Sequence, residues 1–201
     1  TLFALGAVLT GAYPSEILLA PSTLPDVLQL TAASWDERIA IWPDVVWFRR
    51  AALPRLITRN LDPSLLPGAE RQTDRLISDL RTARKAQRKV FAWIHYYEPH
   101  MNQLRALREQ GGTARSRYEA LVRVVDRQIG RLTGELERLG YLDDSLIVVF
   151  GDHGEALGEL GYYGHHVYLN QFIGDIPLMV HAPGLEAGRS ERLASLIDLA
   201  P

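Results

Sequence analysis

The sequence contains no cysteine, so it can form no disulfide and carries no information about its redox compartment. No apolar run approaches the ~20 residues that a membrane-spanning helix needs. The net charge of −2 is small, which gives no reason to expect nucleic acid or an anionic membrane as a partner. The chain begins with Thr rather than Met, on an apolar, helix-like stretch. We therefore interpret it as an internal fragment, in which missing targeting signals are uninformative.

With 201 residues, 47% of them hydrophobic, the chain can bury one substantial core, so we expect a single domain over residues 1–201. Short apolar or β-favouring runs predict strands at Arg38–Trp42, Val90–His95, Leu146–Phe150 and Pro177–His181. Apolar residues at a 3–4 spacing predict a helix over Ser116–Leu139, and further helices are predicted at Thr1–Gly11, from Thr23, over Asp44–Arg59 and over Glu70–Arg88. We expect an α/β fold with a central, largely parallel sheet and helices on both faces.

The stretch from residue 148 to residue 155 contains the residues on which the functional interpretation depends. An apolar, β-favouring run ends at Gly151, and Asp152 and His153 follow directly. Within a strand these two side chains would point to opposite faces, but beyond its end the backbone can turn both toward one site. A carboxylate and an imidazole are the ligand pair expected for zinc or manganese. The alternative is a strand followed by an ordinary polar turn.

Further motifs follow this stretch at a regular spacing: Leu157-Gly158-Glu159, Gly164-His165, Ile176-Pro177-Leu178, Pro183-Gly184 and Asp198-Leu199-Ala200-Pro201. Together with Asp152-His153-Gly154-Glu155, they resemble the sulfatase-like branch of the alkaline phosphatase superfamily. The resemblance is dense from about Tyr118 to Pro201 and has weaker anchors at Thr1–Pro14, Thr23–Leu28 and Phe91–His100. It implies the alkaline-phosphatase-like (sulfatase) α/β fold and a metal-dependent hydrolase or transferase.

The resemblance implies that Thr1 is the nucleophile. In the family this residue begins a helix about ten residues ahead of a Thr-Gly pair that precedes Tyr-Pro, and Thr10-Gly11 and Tyr13-Pro14 match that order. A helix N-terminus favours anions, which suits an alkoxide and a bound phosphate or sulfate. Taken alone, Thr1 is equally a helix N-cap. The formylglycine of true sulfatases needs Cys or Ser at this position, so Thr favours phosphoryl chemistry.

Two histidines are implied as contacts of the ester group. His100 ends a segment that resembles the family's His-x-x-Asp-Pro-His, with Glu98 where Asp is usual, and His95 begins it. His95 is either a second candidate or only a packed residue at the strand end. His165 takes the position where the family places a cationic group on the phosphate or sulfate, and a neutral imidazole there could also bind metal. His166 takes a position that is often Gly.

The resemblance therefore implies one site and one reaction. Asp152, His153 and Thr1 would bind one divalent cation (Zn²⁺, Mn²⁺, Mg²⁺ or Ca²⁺), or contribute to a pair of cations, while His100 and His165 stabilise the equatorial oxygens. The expected reaction is hydrolysis or transfer of a phosphate ester. The expected substrate is a small molecule or is linked to a glycan or lipid.

Two alternatives stay open: a sulfuric ester hydrolase, and a non-catalytic relative that acts as a binding domain. The family's first metal-binding acids lie on a strand upstream of the nucleophile. That strand is missing here, so the fragment alone is expected to be inactive. The resemblance is also compatible with an extracytoplasmic or membrane-associated location, with a membrane tether outside the fragment.

Overall fold

The computed structural model describes residues 34–41, 68–100, 111–165 and 170–199. In chain order these ranges contain strand β1 (Glu37–Ile41), helix α1 (Ala69–Lys85), strand β2 (Val90–Ile94), helix α2 (Ala114–Arg138), strand β3 (Ile147–Phe150), the short strands β4 (Ala156–Leu157) and β5 (Tyr163–Gly164), helix α3 (Gln171–Gly174) and strand β6 (Leu178–His181). Single 3₁₀ turns lie at Leu142–Asp144, Glu159–Gly161 and Leu196–Leu199.

All four predicted strands are confirmed, and each differs from its predicted range by one residue at one or both ends. The helices predicted over Glu70–Arg88 and Ser116–Leu139 are also confirmed. The first ends three residues early, at Lys85, and Gln87 just beyond it adopts a positive φ of 54°. The helices predicted at Thr1–Gly11, from Thr23 and over Asp44–Arg59 lie outside the described residues.

Strands β1 and β2 form a small parallel sheet in which Ile39 pairs with Ala92. This is the parallel pairing expected of an α/β fold. Strand β6 runs antiparallel to β3, with Val148 opposite Val180. After β3 the chain forms the β4–β5 hairpin and then α3. Strand β6 begins beside the carboxyl end of β3, where the amide of Gly151 donates to the carbonyl of Pro177 at 3.2 Å. Because β3 and β6 run in opposite directions, the connection between them does not have to cross back to the other end of the sheet.

Helix α1 packs its apolar side onto the parallel strand pair. Ile39 and Ile41 of β1 form a buried cluster with Leu76 and Leu80 of α1, all four no more than 4% exposed. Residues of β2, α2 and the segment that follows α2 pack around this cluster: Val90, Ile94, Leu132, Leu136, Leu139 and Tyr141. Burying each large aliphatic side chain contributes about 1.5–3 kcal/mol, so this cluster fixes α1 against the sheet.

Helix α2 begins at a Thr cap, where the hydroxyl of Thr113 accepts the amide of Ser116 at 3.1 Å, and Gly140 follows its end with φ of 70°. Its predicted apolar stripe is covered only in part by the described elements, and Val122 remains 40% exposed. Arg81 of α1 lies 2.6 Å from Glu135 of α2, which joins the two helices on their polar side.

None of the helices in the described ranges combines the length and apolarity needed to cross a membrane.

Candidate functional site

The carboxyl ends of β2 and β3 lie close together. Trp93 near the end of β2 and Phe150 at the end of β3 make an edge-to-face contact, with ring centroids 5.8 Å apart. His95 follows β2 directly. Its burial lowers its pKa, while the charge of Asp152 acts in the opposite direction. The charge of Asp152 thus acts on His95, and the contact between Trp93 and Phe150 brings the two strand ends to one site.

Three of the histidines singled out in the sequence converge at these strand ends. The ring centroids of His153 and His165 are 4.0 Å apart, and those of His100 and His165 are 5.1 Å apart. We call His100, His153 and His165 the imidazole cluster. Tyr97 stacks on His100 with centroids 4.3 Å apart and an interplanar angle of 19°. Residues from three separate segments thus present polar ring nitrogens within one small region.

Glu155 holds His165. The Nδ1 atom of His165 lies 3.2 Å from each carboxylate oxygen of Glu155, and the two side chains are only 11% and 4% exposed. In the β4–β5 hairpin, Ala156 pairs with Gly164, so Glu155 and His165 are the next residues outward on the two strands. Cross-strand neighbours at such a position meet directly.

Asp152 and His153 present the two donors expected of a metal site. The Oδ2 atom of Asp152 lies 3.7 Å from Nε2 of His153, and Nδ1 of His153 donates to the carbonyl of Gly154 at 2.8 Å. In the neutral ring Nε2 is then the unprotonated nitrogen, which is the form that binds metals. A separation of 3.7 Å fits two ligands that each lie about 2.0–2.2 Å from one ion.

This pair is a partial ligand set. Within residues 34–41, 68–100, 111–165 and 170–199, no group of three or more His, Asp or Glu side chains is arranged to hold a metal ion. The third predicted ligand, Thr1, lies outside the described residues, as does His166. The donors that are described therefore fit a divalent cation in type and spacing, and further ligands would have to come from elsewhere in the protein.

Gly154 explains how the chain turns between His153 and Glu155. Its amide donates to the carbonyl of Ile173 at 2.8 Å, and a Cβ on Gly154 would lie 2.0 Å from the carbonyl oxygen of Phe172. No residue other than glycine fits this approach without a shift of the backbone. The contact holds the segment after β3 against α3.

A second anchor joins the hairpin to α2. The carboxylate of Glu159 accepts the amide of Leu157 at 2.6 Å and pairs with Arg115 of α2 at 2.7 Å. Hydrogen bonds from the backbone amides of Leu157 and of Glu159 itself lower the pKa of Glu159, and the guanidinium of Arg115 makes a smaller contribution in the same direction. The hairpin that carries His165 is thereby held just before β4, by Gly154, and in the turn after β4, by Glu159.

The segment after β2 is fastened to the first turns of α1. Helix α1 has no side-chain cap of its own at Gly68, and the carboxylate of Glu98 instead accepts the amide of Ala69. The hydroxyl of Thr73 lies 2.8 Å from that of Tyr96, and the side-chain amide of Gln72 donates to the carbonyl of His95 at 3.2 Å. We call residues 95–100 the site loop. Its position depends on α1, whereas the hairpin depends on α2 and α3.

The structure thus brings together His100, His153, His165 and Asp152 from the predicted set, with His95 beside them. His181 lies elsewhere, at the far end of β6, where its Nε2 is 3.0 Å from the carbonyl of Leu142. Three contributing residues were not assigned a role from the sequence: Glu155, Tyr97 and Glu98. Glu155 stands within the Asp-His-Gly-Glu motif, and its contact with His165 follows from the register of the β4–β5 hairpin, which the sequence does not show.

Comparisons with known proteins bear on the family of the chain. The model of the family described as Sulfatase matches residues 7–201. Choline-sulfatase of Rhizobium meliloti (strain 1021) is 36% identical over 90 residues, which are 44% of this chain and 17% of that protein. N-acetylglucosamine-6-O-sulfatase of Bacteroides thetaiotaomicron is 36% identical over 86 residues, which are 42% of this chain and 15% of that protein.

Among solved structures, the lipoteichoic acid synthase LtaP from Listeria monocytogenes superposes with a TM-score of 0.68 at 18% identity, covering 92% of this chain and 54% of that one. This likeness shows the expected alkaline-phosphatase-like fold. The matched segments are less than a fifth of the length of these two curated relatives. Since the family model matches nearly the whole sequence, the chain belongs to the sulfatase family of the alkaline phosphatase superfamily.

Proposed function

We propose that the protein containing this chain is a metal-dependent enzyme that hydrolyses or transfers phosphate or sulfate esters, with phosphate esters preferred. The observation that carries the proposal is the convergence of the imidazole cluster with Asp152 at the carboxyl ends of β2 and β3. Ligands of α/β proteins bind outside the carboxyl ends of strands. The names of the curated relatives support ester chemistry.

In this proposal Asp152 and His153 hold a divalent cation, which when bound supplies Lewis-acid stabilisation of the ester oxygens. His100 and His165 contact the anionic group that is attacked. An imidazole N–H donated to an oxygen on which charge develops stabilises the transition state more than the ground state. Stacking on Tyr97 orients the ring of His100 for this contact.

Thr1 is the proposed nucleophile, on the basis of its place in the sequence. Attack by its hydroxyl oxygen would form a covalent ester of Thr1 and expel the substrate's alcohol, which leaves with a proton. Water or an acceptor alcohol would then attack the phosphorus and restore the Thr1 hydroxyl. A formylglycine hydrate has a second hydroxyl that can expel sulfate from the adduct. Thr1 has none, which is why we propose a preference for phosphate.

The test is a paired assay of the intact protein on an aryl phosphate and the matching aryl sulfate. We expect kcat/KM to be at least ~100-fold higher for the phosphate, which corresponds to about 2.7 kcal/mol of transition-state stabilisation. Asp152→Asn measured in parallel shows whether the turnover belongs to this site. Equal or reversed rates with the two esters would refute the phosphate preference.

Sulfuric ester hydrolysis is the second candidate, and a specific observation favours it: the two curated relatives described above are named as sulfatases of choline and of N-acetylglucosamine. A small-molecule or glycan sulfate would then be the substrate. The paired assay separates this candidate from the first. If the intact protein turns over neither ester, the non-catalytic alternative is supported instead.

A further inference from the structure

The carboxylate of Glu98 joins the site loop to α1. It accepts the amide of Ala69, the first residue of the helix, and Glu98 is only 9% exposed. A helix is ordinarily capped by the residue just before it, which here is Gly68 and has no side chain to accept a hydrogen bond. Helix α1 is therefore capped by a residue 29 positions further along the chain, in the segment that carries His100.

This arrangement is less favourable than a local cap. The Oε2 atom of Glu98 is buried and has no hydrogen-bond partner in the part of the chain that the structure describes. Burying a carboxylate with one oxygen unsatisfied costs free energy. Position 68 has room for a capping side chain, since an added Cβ there would meet only Cγ of Arg71, at 4.0 Å, among the described residues. Helix stability alone thus does not explain why Glu98 supplies the cap.

Glu98 lies in the turn that carries His100. The amide of His100 donates to the carbonyl of Tyr97 at 3.1 Å, which closes a four-residue turn with Glu98 and Pro99 at its centre. The two ends of this turn bear the stacked rings of Tyr97 and His100, whose centroids are 4.3 Å apart. His100 also makes an edge-to-face contact with His165, at 5.1 Å between centroids. A side chain that fixes the centre of the turn therefore fixes where His100 lies relative to His165.

We propose that Glu98 is a positioning residue: by capping α1 it fixes the turn of the site loop so that His100 reaches the ester. Two further contacts with α1 hold the earlier part of the loop, at His95 and Tyr96. Neither of these two contacts involves the turn, which Glu98 fastens to the start of the helix. The kinetic consequence of this role rests on the proposed function, whereas the placement of His100 does not.

The kinetic test compares Glu98→Ala with Asp36→Ala in the intact protein. Asp36 also holds a distant backbone amide, that of Lys89 at 2.7 Å, but it lies at the amino end of the β1–β2 pair, away from the site. Both variants should lower the melting temperature. We expect kcat to fall by about 10- to 100-fold in Glu98→Ala alone, because a displacement of about 1 Å can cost about 100-fold. An unchanged kcat in Glu98→Ala would overturn the proposal.

A second variant separates capping of the helix from placement of the loop. Gly68→Asp added to Glu98→Ala supplies a carboxylate at the ordinary capping position, where it stabilises the start of α1. It should recover part of the melting temperature lost in Glu98→Ala but none of kcat. If kcat recovers as well, Glu98 only stabilises the helix and the proposal is wrong. The double variant also carries the test if Glu98→Ala alone does not fold.

A double-mutant cycle with His100→Ala assigns the loss to His100. If Glu98 acts through His100, then Glu98→Ala should reduce kcat no further once His100 is Ala. Independent losses that multiply in the double variant would show that Glu98 acts through another group, against the proposal.

A spectroscopic arm does not depend on activity. Nuclear magnetic resonance of the intact protein with ring-labelled histidine follows His100, and His100→Ala identifies its signals. These signals depend on the neighbouring rings of Tyr97 and His165, because aromatic rings shift the resonances of nearby nuclei. They should move in Glu98→Ala, with or without Gly68→Asp, and stay in place in Asp36→Ala. Unmoved signals in Glu98→Ala would overturn the proposal. If the protein turns over no ester, the proposed function fails, but this measurement still decides the role of Glu98.

Discussion

The α-carbon of Gly154 lies so close to the carbonyl oxygen of Phe172 that a Cβ at this position would be 2.0 Å from it. Gly154 stands between His153 and Glu155, so this contact determines where both side chains are placed. The amide of Gly154 donates to the next carbonyl of α3, that of Ile173, at 2.8 Å. These backbone contacts dock the segment after β3 on α3.

Gly154→Ala should destabilise the protein, because the added methyl group would have to displace a backbone carbonyl rather than a flexible side chain. We expect a loss of about 1–3 kcal/mol in the free energy of unfolding, measured by urea denaturation. Gly130→Ala is the control: it lies within α2 with nothing within 4 Å of an added Cβ, so it should stabilise by about 0.5–1 kcal/mol. Equal stability of Gly154→Ala and wild type would contradict the close approach.

Asp152→Ala should remove bound metal from the intact protein and abolish its activity, because one of the two described donors is lost. Metal per protein after dialysis, measured by elemental analysis, tests this directly. Asp143→Asn, an exposed acid in the 3₁₀ turn before β3, is the control and should bind as much metal as wild type. If Asp152→Ala retains the wild-type metal content, the metal assignment is wrong.

Thr1→Ala should stop turnover of aryl phosphates while leaving the protein folded. The sequence predicts Thr1 to be a helix cap, and removing such a cap costs at most about 2 kcal/mol, so loss of activity without unfolding would point to chemistry rather than structure. Thr1→Ser keeps the hydroxyl and is the matched comparison, in which a substantial part of kcat should remain. Retention of the wild-type kcat in Thr1→Ala would move the nucleophile to another group.

Glu135 makes stability depend on acid pH. Hydrogen bonds from Arg138 and then Arg81 lower its pKa from 4.5 to about 2. A carboxylate with a lowered folded-state pKa stabilises fully above its unfolded pKa, and this contribution is lost as the pH falls through the folded value. The difference in melting temperature between wild type and Glu135→Gln should therefore be constant above about pH 4.5 and shrink toward pH 2.

The arginine variants serve as controls for the Glu135 prediction. Arg138→Gln removes the larger cause of the lowered pKa, and Arg81→Gln removes the next one. The wild-type melting temperature should exceed that of Arg138→Gln by an amount that also shrinks in acid. A difference between wild type and Glu135→Gln that does not change with pH would contradict the assignment.

The order of elements and part of the site could be predicted from the sequence, because both depend on local patterns. The apolar run that ends at Gly151 fixed the end of β3, and it placed Asp152 and His153 just beyond that end. The direction of β6 could not be predicted, since an apolar pattern indicates a strand without indicating which way it pairs. The role of Thr1 is still a prediction from the sequence alone.

The partners of the site residues depend on pairings between distant segments. Glu155 and His165 are ten residues apart and meet only because Ala156 pairs with Gly164. A shift of one residue in that register would turn each side chain to the opposite face of the hairpin. Glu98 and Ala69 are 29 residues apart, and their hydrogen bond forms only when the site loop is docked on α1.

That hydrogen bond makes the backbone amide of Ala69 a reporter of the site loop. Its proton can exchange with solvent deuterium when the hydrogen bond to Glu98 breaks, as it does whenever the site loop moves away from the start of α1. A ligand that holds His100 should therefore slow deuterium uptake at Ala69, a residue that does not itself belong to the imidazole cluster. Exchange at this one amide would reveal how often the site opens without any need to know the substrate.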